Sequence, residues 1–164
     1  MTGITTINGD ITANGQDYTT TTYDPGGGSG GSIWLDTNVL TGTGTMKVIG
    51  GLGYTNSGGG GGGRIAVYYT TDNSTVTYQA YGGKNNTDTN RMGGAGTIYK
   101  KATSQSYGDL LIDNNDQYNS DARYLGKTVL MGTSTYDTIT ISNYGYLDIA
   151  STSNIDYTNL SWDN

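Results

Sequence analysis

Few residues in this 164-residue sequence are suited to catalysis. There is no His and no Cys, so the commonest general base, the commonest metal ligand, disulfides and thiolate sites are all absent. A polysaccharide lyase or hydrolase needs charged groups that converge in one groove. Here no paired-carboxylate motif occurs, and the cations are spread over different positions: Lys47, Arg64, Lys84, Arg91 and Lys100. We predict no catalytic residues, and a carbohydrate-active β-helix enzyme is the alternative.

Two motifs resemble ligand sites, and neither has the required context. Four aspartates cluster in one stretch and could offer Ca²⁺ its preferred oxygen ligands, but they lack the spacing of a known calcium loop: Asp109, Asp113, Asp116 and Asp121. Residues 26–31 match G-x-G-x-x-G, but a dinucleotide fingerprint follows a strand and opens a helix. A β-type run follows them instead. We predict neither a metal nor a cofactor.

Aromatic side chains are the remaining candidates for contact with a partner. The chain has 15 Tyr, 2 Trp and no Phe, and these rings are apolar with a polar tip. We predict that Trp34, Tyr68 and Tyr99 form an outward contact surface. Such rings can stack on sugars or anchor a protein contact. They can equally be strand formers that were selected for their β propensity.

A repeat of about 32 residues predicts the elements that position these side chains. Glycine runs at 26–31, 58–63 and 93–96 each lead into a β-type run. The first apolar residue of each run is Ile33, Ile65 or Ile98, and Val129 is a fourth member without a glycine run. Trp34 and Tyr99 then share one repeat position, with Ala66 between them.

A second strand recurs between the glycine runs. Apolar residues alternate in it, which indicates one buried face and one wet face. Two ladders result: Ile11, Met46, Tyr78, Leu110 and Ile139, and Ala13, Val48, Ala80, Ile112 and Ile141. Each strand closes on a residue type that accepts a left-handed backbone, which predicts a repeated corner: Gly15, Gly50, Gly82, Asn114 and Asn143.

These patterns predict an all-β fold, a parallel β-solenoid, or β-helix, of about five coils in which identical positions stack on one another. A β-sandwich is the architectural alternative. We predict one module over residues 1–164, with glycine-rich coils at 1–115 and glycine-poor terminal coils at 116–164. We also expect the three glycine runs to line up and pack closely, since ordered glycine needs a tightly packed neighbour.

The glycine-rich segments resemble a known class of sequence. Residues 58–69, 81–83, 93–100 and 107–115 are similar to glycine-rich repeats of large bacterial surface proteins. This resemblance implies a β-helical, adhesin-like stalk. The stretch after Asp116 departs from the pattern by losing its glycine run.

Composition and resemblance together lead to a functional expectation. We expect a non-catalytic structural or adhesive module that is extracellular or at the cell surface, and that self-associates into a filament or contacts other surface-protein domains. A module that binds a cell-surface glycan or a receptor, including a phage adhesin, is the alternative. A net charge of −6 disfavours nucleic acid. No apolar run is long enough to span a membrane, so we expect no insertion.

Overall fold

The computed structural model describes residues 3–86, 91–118 and 126–163. These residues contain twelve strands and no helix. In chain order the strands are β1 (Ile4–Thr6), β2 (Asp10–Thr12), β3 (Ser32–Thr41), β4 (Thr45–Lys47), β5 (Arg64–Asp72), β6 (Thr77–Gln79), β7 (Thr97–Ala102), β8 (Asp109–Asp113), β9 (Thr128–Leu130), β10 (Thr133–Ser142), β11 (Leu147–Ile149) and β12 (Asn154–Trp162).

The strands stack as the repeat predicts. One sheet has seven strands in the order β1-β3-β5-β7-β8-β10-β12, a second has the order β2-β4-β6, and a third consists of β9 and β11. Ile33, Ile65 and Ile98 are aligned in neighbouring strands of the large sheet. Nearly all pairing is parallel, so the parallel β-solenoid is confirmed and the β-sandwich alternative is wrong. The stack has about four turns, where the repeat count had suggested five.

The first core lies between the large sheet and the β2-β4-β6 sheet. Ile11, Met46 and Tyr78 pair across that smaller sheet, as the first of the two predicted ladders requires. Met46 and Val48 are fully buried against the large sheet's Ile65, Val67 and Ile98. Successive coils thus supply one continuous column of apolar side chains, and each coil covers the one before it.

The chain reverses direction between β7 and β8. These two strands pair antiparallel, with Ile98 opposite Leu111 and Tyr99 opposite Leu110. The prediction that Leu110 continues the ladder above Tyr78 is therefore wrong, because Leu110 lies in the large sheet. Its further alignment with Ile139 is confirmed. Val129 also departs from its predicted ladder, because it lies in the two-stranded sheet and is half exposed.

The reversal moves the core to the opposite face of the large sheet. Residues opposite one another in an antiparallel pair share a face. Leu111 packs on the first core beside Ile98, whereas Leu110, on the face of Tyr99, packs with Ile112 and Ile139 in a second core. We call the face that carries Tyr99 the outer face. It is exposed over the N-terminal coils and covered over the C-terminal coils.

The three glycine runs pack against one another as expected, and we call them together the glycine stack (residues 26–31, 58–63 and 93–96). The first two runs donate hydrogen bonds to the next coil, for example from Gly30 N–H to Gly61 O and from Gly62 N–H to Gly94 O, both at 2.9 Å. Other bonds cross to the residues that follow β4 and β6. Gly60 N–H donates to Gly51 O at 3.0 Å, and Gly83 N–H donates to Gly60 O at 2.8 Å.

The left-handed corner prediction is mostly wrong. Only Asn143 has a positive φ, at 50°, whereas Gly15, Gly50, Gly82 and Asn114 do not. Glycine is required at these corners because there is no room for a side chain. A Cβ at Gly50, for example, would overlap the Gly60 carbonyl and lie 2.6 Å from Gly83 N. Asn114 serves as a side-chain acceptor, since its Oδ1 accepts a 3.2 Å hydrogen bond from Gly82 N–H.

Candidate functional site

Four aromatic side chains form a continuous row across the large sheet, which we call the aromatic row (Trp34, Tyr68, Tyr99 and Tyr136). They come from β3, β5, β7 and β10. Their ring centroids are separated by 4.7, 5.7 and 6.2 Å in that order. Trp34 at the end of the row is 70% exposed. The three predicted contact residues therefore lie together, and Tyr136 joins them.

Strand register places polar side chains on both sides of these rings. Trp34, Ala66 and Tyr99 share one register line, which confirms their predicted common position. Ser32, Arg64 and Thr97 form the parallel line on one side, and Asp36, Tyr68 and Lys101 form the line on the other. Alternate residues of a strand share a face, so all nine side chains project from the outer face. Because the side chain of Ala66 is small, the ring of Tyr68 lies between those of Trp34 and Tyr99.

The aromatic row ends in a cleft where the second core begins. The cleft has a volume of about 370 Å³ and is lined by Tyr99, Tyr136, Leu110, Leu130 and three hydroxyl-bearing residues, Thr97, Ser134 and Thr135. It lies where the outer face passes from exposed to covered. Tyr136 and Leu110 were not predicted as site residues, because their presence depends on the strand reversal.

The hairpin between β7 and β8 holds Tyr99 in place. The Tyr99 hydroxyl donates to the Tyr107 carbonyl, and Asp137 Oδ2 accepts from the N–H groups of Tyr107 and Gly108 at 3.3 and 3.0 Å. Burial, reinforced by the neighbouring Tyr68 and Tyr136, raises the pKa of the Tyr99 hydroxyl. Tyr99 therefore remains a neutral hydrogen-bond donor at physiological pH.

Lys100 points away from the row, into the first core. It shares a register line with the buried Val67, and its Nζ lies 2.9 Å from Asp72 Oδ2 and over the ring of Tyr78. Desolvation opposes the charge of Lys100, but the hydrogen bond to Asp72 and the nearby tyrosines outweigh it, so its pKa is raised. Desolvation is the largest single influence on the pKa of Asp72 and raises it. The hydrogen bonds from Ser74 and Lys100 together outweigh this effect, so the pKa is lowered. This pair is a structural ion pair.

Two aspartates of the predicted acidic cluster, Asp109 and Asp113, accept hydrogen bonds from protein donors. Asp113 accepts from Asn115 N–H at 2.7 Å and from the Asn143 side chain at 3.1 Å. Asp109 accepts from Gln105 at 2.8 Å, and Asp121 lies outside the described residues. Within residues 3–86, 91–118 and 126–163, no group of three or more acidic side chains is placed to hold a metal ion.

The fold of the described residues defines the class of protein as a β-solenoid with a strand reversal between β7 and β8. No family model matches the chain, and neither a curated protein nor a solved structure is significantly similar to it. In the part of the chain that the structure describes, no helix is long and apolar enough to cross a membrane.

Proposed function

We propose that this chain is a non-catalytic structural and adhesive module of an extracellular or cell-surface protein, in which the solenoid serves as a stiff spacer or stalk. The hydrogen-bonded glycine stack is the observation that carries this proposal. Glycine runs in a flexible linker would remain solvated. Here they bond along the coil axis and across the coil, so the module resists both bending and separation of its coils.

The resemblance of residues 58–69 and 93–100 to repeats of bacterial surface proteins supports the external location. The experiment is immunogold electron microscopy of the source cells with an antibody to the purified chain. We expect label on the outer surface or on external appendages. Label confined to the cytosol would contradict the proposed location.

Edge strands of the large sheet support self-association. β12 is such an edge, and its Leu160 is 49% exposed above the buried Ile139. An edge strand presents backbone groups that can pair with another chain. Because β12 and β1 run in opposite directions, a β12–β1 contact between stacked copies would be antiparallel, like the internal β7–β8 pair.

Sedimentation velocity over a concentration series tests the self-association. We expect the sedimentation coefficient to rise with concentration, and Leu160→Lys to abolish the rise by placing a charge in the contact. A protein that remains monomeric at millimolar concentration would contradict the proposal. Thr70→Lys, an exposed position on β5 in the middle of the sheet, is the control for added charge.

The absence of catalysis is part of the proposal. The carboxylates of Asp10, Asp72 and Asp148 are each paired with a lysine at 2.7 to 3.4 Å. Groups held in this way serve the fold and are not poised as a general acid and base. We expect no release of reducing ends or unsaturated products from acidic polysaccharides. Product formation that scales with the amount of the purified protein would contradict this.

A further inference from the structure

We infer that the outer face of the N-terminal coils is a binding groove for a neutral, unbranched glycan, which lies along the aromatic row from Trp34 to the cleft at Tyr136. This inference rests on the adhesive part of the proposed function and specifies the ligand. The stalk role does not depend on it.

The rings provide the surfaces that a sugar chain needs. A pyranose with equatorial hydroxyls has an apolar face of C–H groups, which packs on an aromatic ring while its hydroxyls point sideways. Trp34 is 70% exposed and has the largest ring of the four. Tyr68 lies between Trp34 and Tyr99, so the three rings offer one continuous surface for successive sugar rings.

The polar side chains beside the rings favour an uncharged ligand rich in hydroxyls. Arg64 on one side and Lys101 on the other are donors, while Asp36 is an acceptor on the same line as Lys101. Sugar hydroxyl groups both donate and accept hydrogen bonds, so they can bond to the cations and to the carboxylate on this face. A polyanion would gain from Arg64 and Lys101 but would be opposed by Asp36 and by the net charge of −6 of the chain.

The aromatic row ends at the cleft. Its apolar floor of Leu110 and Leu130 lies beside the hydroxyls of Thr97, Ser134 and Thr135. Binding sites combine mostly apolar walls with a few polar groups that fix orientation. The terminal sugar of the glycan fits such a cleft, with its ring against Tyr99 or Tyr136 and its hydroxyls toward the side-chain hydroxyls.

Isothermal titration calorimetry of the full chain tests the inference with cellohexaose and maltohexaose as neutral probes and oligogalacturonate as the anionic probe. We expect saturable binding of at least one neutral probe. Trp34→Ala should weaken it about tenfold or more, which is the effect of losing one aromatic stacking contact. Trp162→Ala is the matched control, because Trp162 is 69% exposed and lies on β12, away from the groove.

Each other outcome overturns the inference in a defined way. Binding that survives Trp34→Ala would exclude the aromatic row, and binding of oligogalacturonate alone would exclude a neutral ligand. Failure of both neutral probes to bind the folded protein would exclude the glycan itself. Unfolding midpoints of the variants confirm that each remains folded. The stalk proposal would survive all three results, since it is tested by microscopy.

Discussion

Substitution of one glycine in the glycine stack tests whether close packing of backbones stabilises this fold. A Cβ at Gly60 would lie 2.9 Å from Ser29 N and closer still to the carbonyl group of Gly28. Real Cβ atoms essentially never approach other atoms within 3.0 Å. Gly60→Ala therefore has to move adjacent coils apart by about an ångström or more, which is enough to stretch a 2.9 Å hydrogen bond beyond its useful range.

Two hydrogen bonds of Gly60 determine the size of the effect. Its N–H donates to Gly51 O at 3.0 Å, and its carbonyl accepts from Gly83 N–H at 2.8 Å. All three glycines are buried, so the separated groups lose partners without gaining water. Each buried group left without a partner costs about 1–3 kcal/mol. Counting one such loss for each of the two hydrogen bonds, we expect Gly60→Ala to lower the free energy of unfolding by about 2–6 kcal/mol, a large part of the total for an ordinary domain.

The neighbouring residue supplies a matched control. A Cβ at Gly61 would have Gly94 O as its nearest neighbour, at 3.9 Å, which is an ordinary contact. Both substitutions restrict the unfolded chain equally, which favours folding by about 0.4–1 kcal/mol. Urea unfolding followed by circular dichroism should therefore find Gly61→Ala as stable as the wild type or slightly more so. If the two variants differ by less than about 0.5 kcal/mol, the close-packing argument is wrong.

Two further substitutions test polar side chains that stabilise the solenoid outside the glycine stack. Lys100→Met should lower the free energy of unfolding at pH 7 by about 1.5–3 kcal/mol, because Asp72 keeps a partly buried charge without its cation. In the wild type the lowered pKa of Asp72 stabilises the fold above its unfolded pKa near 3.8, and this contribution is lost as the pH falls through the folded pKa. The deficit of Lys100→Met should thus shrink at pH 3 in urea unfolding, and a constant deficit would contradict the pairing. Asn114→Ala should lower the free energy of unfolding by about 1–3 kcal/mol, because the Gly82 N–H loses its acceptor. The amide hydrogen of Gly82 should then exchange faster, and faster exchange only at other residues would contradict this role of Asn114.

Much of the N-terminal half could be predicted because one physical rule governs it. Parallel coils place equivalent residues above one another, so a spacing of 32 or 33 residues directly predicts the register of Ile33, Ile65 and Ile98. The same rule placed Trp34 and Tyr99 on one line and thereby predicted most of the candidate site. Tyr68 belongs to the adjacent line and reaches the row through its side chain.

The reversal was not predicted, although two local signals indicate it. Leu110, Leu111 and Ile112 are consecutive apolar residues, and a strand with only one buried face would alternate. Leu111 packs on the first core and its neighbours on the second. Gly108 has a φ of 105° and follows a polar segment, which is typical of a hairpin turn. Alignment of repeats alone does not distinguish parallel from antiparallel stacking, because both keep apolar residues in line.

The sequence pattern also predicts the wrong reason for the recurrent glycines at the ends of the second strands, namely a left-handed backbone. Glycine is required either where the backbone is left-handed or where no space exists for a Cβ. A sequence records the residue type and not which of these conditions applies. Gly15, Gly50 and Gly82 meet the second condition, since each faces a carbonyl of the glycine stack. Once a segment is recognised as lying beside a glycine run, close approach is the better prediction.

The reversal and the candidate site have a common origin. If every coil were parallel, the core would remain on one face of the large sheet and the aromatic row would lie on a flat, uniformly exposed surface. Because β8 runs antiparallel to β7, the second core covers the outer face beginning at Leu110. The covered half forms a step against the exposed half, and the cleft at Tyr99 and Tyr136 lies at this step. A concave site therefore arises on a solenoid surface through a change of strand direction.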